Sequence, residues 1–361
     1  MPVMSTIDPW SLGVPPRSAS PADMLDLSGA RAPLGYAPMT ARRIVESTRS
    51  DAVPWRDAVS ALVDALSRKF SLIPERICVG AGTRVLLPTV LQALSETDGT
   101  LALPELAPPL HTLCAARTGL RQVRVTSGNP LAPDLEEWKR VLERERPALA
   151  LLAHPANPGG HGLDRDAMAS LLGAALASGT CLIIDEAYAD YAEKAEFARV
   201  VPLLEESPHL VVMRSFSSLQ GLEGLPTAFT LSAVETAVRI RPATIGLEPG
   251  EMAARASTAA VGETTFDQMI RERVGRARFA LYRTLTEWGL TVDSGVAPWV
   301  VVTVPDSGDA TKRLAARGLR VRDLAPWGLP GRIRIRAGTE DEVARFIRDA
   351  KPVLTKMRPP A

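Results

Sequence analysis

Short apolar runs alternating with helical stretches constrain this chain more than any other feature. Five runs, at 100–103, 148–153, 181–184, 210–213 and 228–231, are mainly apolar, and helical segments at 134–145 and 165–178 lie between several of them. A strand buried on both faces needs apolar residues at successive positions, and parallel neighbours need a crossover between them. The pattern predicts an α/β fold, a mostly parallel sheet sandwiched by helices. A sixth run at 123–125 is short and broken by Arg124, which marks it as an edge strand. Ligands of such sheets collect at the carboxyl ends of the strands, so the residues directly after each run are the ones to inspect.

The flanks read differently. Residues 1–40 carry Pro2, Pro9, Pro15, Pro16, Pro21, Pro33 and Pro38 with little periodicity, which predicts an extended arm lying over another unit. Trp55, Val59, Leu62, Val63 and Leu66 recur at helical spacing, and 84–94 makes a second helix. The stretch 242–250 breaks the alternation, and a long Arg-rich helix is expected over 251–288. Beyond it, a strand at 299–304, a helix at 309–317, a strand at 332–336 and a helix from Glu340 predict a smaller C-terminal α+β domain. The expected division is an arm at 1–40, a large α/β domain at 41–245, and the long helix with the small domain at 246–361.

Composition excludes several classes. At 46% hydrophobic and 23% charged, the 361 residues match an ordinary globular chain rather than a disordered or fibrous one. A net charge of +1 with 5% aromatics gives no basic groove with stacking platforms, so no nucleic-acid partner is expected. Cys78, Cys114 and Cys181 lie far apart, without metal-ligand spacing or a disulfide framework. No apolar run is long enough to span a membrane and the N-terminus lacks a signal-peptide pattern, so a cytoplasmic location is expected, with no membrane partner and no metal site.

The residues after the strands carry the chemistry. His154-Pro155-Ala156-Asn157-Pro158-Gly159-Gly160 follows the second run, Asp185-Glu186-Ala187-Tyr188 the third, and Arg214-Ser215-Phe216-Ser217-Ser218-Leu219-Gln220-Gly221-Leu222-Glu223-Gly224-Leu225 the fourth. The C-terminal unit holds Arg332-Ile333-Arg334-Ile335-Arg336. Singly, each has a plain structural reading: a turn, a helix cap, a pair of capping serines, one solvated strand face.

In this order they resemble the fold type I pyridoxal-phosphate aminotransferases, most closely the histidinol-phosphate aminotransferase-like branch, over about residues 25–350. The resemblance implies a role for each matching position. Asp185 would pair with a pyridinium nitrogen, and Asn157 and Tyr188 would hydrogen-bond the ring's phenolic oxygen. Ser215 and Ser217 would sit in a phosphate cup with backbone donors at the helix starting near Gly82-Thr83. Arg334 would hold a substrate carboxylate, with Asn157 beside it. Arg84, next to Thr83, either reinforces that anion site or faces solvent.

The pattern fails at the residue the chemistry needs most. Where the family has the lysine that forms an imine with the cofactor, this chain has Ser218. A hydroxyl cannot form an imine, and loss of a general acid–base group costs on the order of 10²–10⁴ in rate. Only six lysines accompany the 36 arginines, at 69, 139, 194, 312, 351 and 356, and Lys194 is expected on a surface loop. Other departures accompany it. Pro226 stands for a phosphate-binding arginine, and Pro104-Glu105-Leu106-Ala107-Pro108-Pro109 contains no ring to stack on the cofactor. Ala30-Arg31-Ala32-Pro33-Leu34-Gly35 replaces an asparagine-bearing element, and Arg49-Ser50-Asp51 a segment whose tyrosine would reach a neighbouring subunit.

Two functional readings follow. The first is an aminotransferase-like enzyme with a degenerate cofactor site, repurposed to lysine-independent chemistry on a small, amino-acid-like carboxylate substrate, in which no cofactor is held as an internal aldimine. Asp185, Tyr188, Ser218 and His154 are its candidate acids and bases, although His154 reads equally well as a packed histidine. The second is a non-catalytic partner of another enzyme. The resemblance implies a homodimer, with a heterodimer as the alternative. A conventional transaminase with a misplaced lysine is disfavoured, because no lysine lies between 194 and 312.

Overall fold

The structure is a computed structural model that describes residues 24–29, 32–49, 54–95, 99–192, 197–205 and 207–357. The expectations for most of the proline-rich arm, for Ala30 and Arg31, for Ser50 and Asp51, and for Lys194 lie outside the described residues.

The described part of the arm contributes β1 (Leu25–Asp26), and the first large layer contains β2 (Ile77–Gly80), β3 (Thr100–Pro104), β4 (Arg121–Val125), β5 (Leu149–Ala153), β6 (Cys181–Asp185), β7 (Leu210–Ser215) and β8 (Ala228–Ser232). These seven form one sheet in the order β2-β8-β7-β6-β5-β3-β4, with β4 at the edge as its interrupted run predicts. Strands β3 to β7 pair in parallel, while β8 runs antiparallel to both of its neighbours. The sequence reading did not include β2, a four-residue run that completes the edge beyond β8.

The apolar runs are continuous because alternate residues enter different cores. Ala150, Leu152, Leu182, Ile184 and Val212 face one core, and Leu149, Leu151, Ile183, Val211 and Met213 face the other. Helices α1 (Pro38–Ser47), α2 (Trp55–Phe70), α3 (Thr83–Leu94), α4 (Pro109–Thr118), α5 (Leu135–Glu145), α6 (Arg165–Ser178), α7 (Val234–Thr244) and α8 (Glu251–Val261) cover the sheet. The first core receives Leu62 and Leu66 of α2, Trp138 of α5, Met168 of α6 and Ala256 of α8, and the second receives α3, α4 and α7. Burial of each of these larger side chains is worth about 1.5–3 kcal/mol. Asp134 and Asp164 start α5 and α6 by accepting the backbone N–H of Glu137 at 3.1 Å and of Ala167 at 2.8 Å.

The helix expected over 251–288 is two helices, α8 and α9 (Thr264–Glu287), parted at Gly262-Glu263. Ala256 and Ala260 pack toward the sheet, whereas Ile270, Val274 and Leu281 pack into the C-terminal core, and one straight helix cannot serve both. Glycine is the residue at which turning costs least. Around 242–250 the pattern breaks later than expected, since α7 carries Pro242 within it and runs to Thr244.

The C-terminal unit holds β9 (Val292–Asp293), β10 (Trp299–Thr303), α10 (Ser307–Ala315), β11 (Leu319–Arg320), β12 (Arg322–Asp323), β13 (Arg332–Arg336) and α11 (Glu340–Leu354). Its sheet has the order β12-β13-β10-β9, and β1 adds in parallel to β11, which ties the arm to this unit. The fold is thus a mostly parallel sheet sandwiched by helices with a smaller α+β unit. The solvated face expected for the 332–336 arginines is not observed. Arg334 and Arg336 are buried, because β13 lies inside its sheet with one face on a core and the other against the large layer and the arm.

Candidate active site

Strands β2, β3, β5, β6 and β7 end, and the antiparallel β8 begins, on one side of the sheet. The loops leaving that side, together with β12 and β13, enclose a cleft of about 590 Å³. Gly82, Thr83, Arg84, Asn157, Asp185, Tyr188, Ser215, Ser217, Ser218 and Arg334 all line it. Of the candidates from sequence, only His154 does not.

His154 sits at the end of β5 with no exposed surface. Its Nε2 accepts the Leu163 N–H at 3.0 Å, and Phe197 stacks on the ring with centroids 4.1 Å apart. Burial pulls its pKa down to about 4, so the ring is neutral near pH 7. This is a packed histidine that holds a loop, and its assignment as an acid or base is corrected here.

Asp185 ends β6 and turns into the cleft. Its Oδ1 accepts the Ala187 N–H at 3.0 Å, and its Oδ2 lies 2.8 Å from Nε2 of His111 on α4. His111 is buried, lines the cleft, and leaves Nδ1 without a hydrogen-bond partner among the described residues. The sequence reading missed this pairing. The two residues are 74 positions apart, and His111 belongs to a helix with no clear apolar periodicity.

Glu186, just after Asp185, and Arg214, just before Ser215, do not line the cleft. Arg214 lies 3.6 Å from Glu186 and also pairs with Asp190, all three beneath the cup. Burial pushes Glu186 up to about 7 against the pull of Arg214. This pair ties the loop after β6 to the end of β7.

Asn157 is fixed by its turn. Gly159 runs so close to Leu131 that a Cβ there would lie 1.7 Å from the Leu131 carbonyl oxygen, and the Trp299 indole N–H donates to the Pro158 carbonyl. The Asn157 Oδ1 accepts from Arg334 Nη1 at 2.6 Å, while Arg334 Nη2 donates to the Ser28 carbonyl at 3.3 Å. The Arg334 guanidinium stands over Trp299 at 4.6 Å and over Trp327 at 5.3 Å. It has no carboxylate partner among the described residues, and burial pulls its pKa down to about 10. Arg322, also missed from sequence, is its register partner on β12 and lines the same cleft. The Tyr188 ring meets Trp299 edge-on at 4.8 Å, and burial raises the phenol pKa.

At the other end, Gly82 takes a φ of +88° to open α3, whose first N–H groups have no intrahelical acceptor. Ser215 accepts the Ser217 N–H at 3.1 Å, forming the opposite wall. Pro226 fills the space between, since a Cβ on Gly82 would lie 2.8 Å from its Cβ. The Ser218 hydroxyl donates to the Ala187 carbonyl. Arg84 is exposed and lines the cup.

The comparisons with known proteins converge. Residues 45–349 match the family model of aminotransferase class I and II. Histidinol-phosphate aminotransferase 1 of Nitrosococcus oceani is 30% identical over 304 residues, covering 82% of this chain and 80% of that protein. Histidinol-phosphate aminotransferase 2 of Archaeoglobus fulgidus is 26% identical over 354 residues, covering 96% and 97%. Among solved structures, the histidinol-phosphate aminotransferase of Clostridium acetobutylicum superposes with a TM-score of 0.85 at 17% identity, covering 92% of this chain and all of that one. That of Sinorhizobium meliloti in complex with pyridoxal-5'-phosphate gives 0.79 at 22% identity, covering 92% and 91%.

Proposed function

This chain belongs to the class I and II aminotransferase family, and from that premise we propose that it uses the family's cleft without a covalently held cofactor, on an amino-acid-like substrate bearing a carboxylate. The residues do not fit pyridoxal phosphate as a lysine-bound group. No lysine lines the cleft among the described residues, and Ser218 spends its hydroxyl proton on a backbone carbonyl. Pro226 brings no charge to the cup, and the 104–109 loop offers no ring.

The observation that carries the reading is Arg334. A guanidinium desolvated this far is costly to keep, and the cost has a use if an anion arrives to meet it. Its planar fork suits a carboxylate held by two parallel hydrogen bonds. Asp185, anchored by His111 and the Ala187 N–H, presents an acceptor for an amino group across the same cleft. Tyr188 offers a phenol that stays protonated near pH 7, a donor for a substrate oxygen. Thr83, Ser215, Ser217 and the start of α3 supply further hydrogen-bond donors on the opposite wall.

Pro226 packed on Gly82 favours the second reading, a non-catalytic partner with an eroded cup. Calorimetric titration of the full chain with amino acids and 2-oxo acids separates the two. Saturable binding that weakens about 10- to 100-fold in Arg334→Met supports the enzyme reading, the range expected for losing a charge-assisted contact. An absence of binding favours the partner reading. Incubation with pyridoxal phosphate followed by borohydride tests the premise shared by both, which stoichiometric labelling of a single lysine with a visible imine band overturns.

A further inference from the structure

The cleft does not end at Asn157. A second space of about 230 Å³ opens beside it, and Pro108, Ala153, Asn157 and Trp327 line both. Two of these dividing residues touch the Arg334 guanidinium: Asn157 accepts from it at 2.6 Å, and Trp327 lies under it at 5.3 Å. A carboxylate seated on Arg334 therefore sits at the mouth of this compartment. At the far side of the divide stands Pro108, too small to close it.

The compartment has apolar walls and asks for few hydrogen bonds. Val125, Trp138, Leu152 and Leu329 line it. Ser127 donates its hydroxyl proton to the carbonyls of Asn129 at 2.7 Å and Ala132 at 3.2 Å, and Asp134 is occupied as the cap of α5. Glu105 is exposed at the rim, where its charge repels a second acid. The space exceeds the roughly 150 Å³ that accepts benzene.

We propose that this compartment takes the neutral, ring-bearing end of a substrate whose carboxylate rests on Arg334, which makes the substrate an aromatic amino or oxo acid rather than a short or doubly acidic one. The proposal rests on the carboxylate reading of the cleft given above. Trp327 and Asn157 then set the distance between acid and ring, and the ring gains apolar cover from both layers of the fold.

The test compares 3-phenylpropionate with propionate, titrated into the full chain and into two filling variants, Leu329→Trp and Ala132→Phe. Neither position lines the main cleft, and Ala132 lies in a loop, so the second variant keeps the test decisive if the first fails to fold. The aromatic acid is expected to bind about 10- to 100-fold more tightly to the native chain, and the preference to shrink to within about threefold in the filled variants with propionate unchanged. Equal affinities in the native chain, or a preference that survives both fillings, overturn the compartment and leave the Arg334 reading intact. Binding of neither acid overturns the carboxylate reading, and the compartment with it.

Discussion

Replacing Arg334 by methionine is expected to stabilise the protein while weakening its affinity for acids about 10- to 100-fold. Burial lowers the guanidinium pKa from 12.5 to about 10, equivalent to about 3 kcal/mol of unfavourable charge burial. The sign follows from the proton balance. Below pH 10 both folded and unfolded chains carry the charge, so the full cost is present, and it is relieved only as pH rises from about 10 toward 12.5. Methionine removes the cost at every pH. Against this stand the contacts the guanidinium makes. The Asn157 amide is only half-buried, so cleft water replaces its partner, and the Ser28 carbonyl keeps the Arg322 Nε at 3.4 Å. Stacking on Trp299 and Trp327 is worth about 0.5–1 kcal/mol each, part of which a thioether against the same rings recovers. The net expectation is a gain of about 1–2 kcal/mol, read as a higher urea midpoint at unchanged m-value near pH 7. Adding 3-phenylpropionate at about 100 times its native Kd should stabilise the native chain by about 2.7 kcal/mol and the variant, with its 10- to 100-fold weaker binding, by only about 0.4–1.4 kcal/mol. A variant destabilised by about 2 kcal/mol or more would show the guanidinium to be a structural strut, and the reasoning from uncompensated charge would fall.

Ser218→Lys alone should give no appreciable transamination with added pyridoxal phosphate, because Pro226 still brings no cation to the cup and the 104–109 loop still lacks an aromatic, and an initial-rate assay reaching ordinary turnover would refute this. Gly159→Ala forces a Cβ onto the Leu131 carbonyl and displaces Asn157, so thermal melts should drop by several degrees and acid affinity by about tenfold or more. Glu186, raised from 4.5 to about 7 by burial, holds its proton longer folded than unfolded, so its contribution falls as pH rises through that window; denaturant midpoints of Glu186→Gln should therefore rise with pH there, the His154 contribution being no longer offset. His154, lowered from 6.5 to about 4, does the reverse, and its contribution, present above 6.5, is lost as pH falls toward 4. The two opposed slopes should leave the native profile nearly flat between about pH 4.5 and 6.5, and His154→Gln should expose a decline with rising pH at unchanged acid affinity.

What was legible in the sequence follows from which interactions are local. The sheet could be read because each strand spends all its side chains on two cores, so apolarity at successive positions in Leu149–Ala153 or Cys181–Asp185 reports burial directly. Asp185, Ser215 and Asn157 could be placed because the end of a parallel strand always opens on the same side of the sheet. Arg332–Arg336 shows where such reasoning stops. Alternation established that Arg332, Arg334 and Arg336 share a face, but not what covers it. The cover comes from Ser28 in the arm, Asn157 in the large layer and two tryptophans, of which only Trp327 lies near the strand in sequence.

The residues that sequence reasoning missed are those whose role exists only across such a junction. His111 is one residue in an unpatterned helix until Asp185 meets it, and Arg322 precedes an ordinary turn until the β12–β13 register sets it opposite Arg334. His154 errs the other way, since its place after a strand resembles that of Asn157 and Asp185. Only the Leu163 N–H, from the following loop, and the Phe197 ring, from the segment after β6, turn it inward. Position after a strand therefore nominates a residue for the cleft, and the loop packed over it decides whether the side chain arrives there. By the same logic the small side chain of Pro108 shapes the cleft by what it leaves open. A junction built from small residues connects spaces that a larger side chain would separate, and the substrate preference of this chain should lie in that connection.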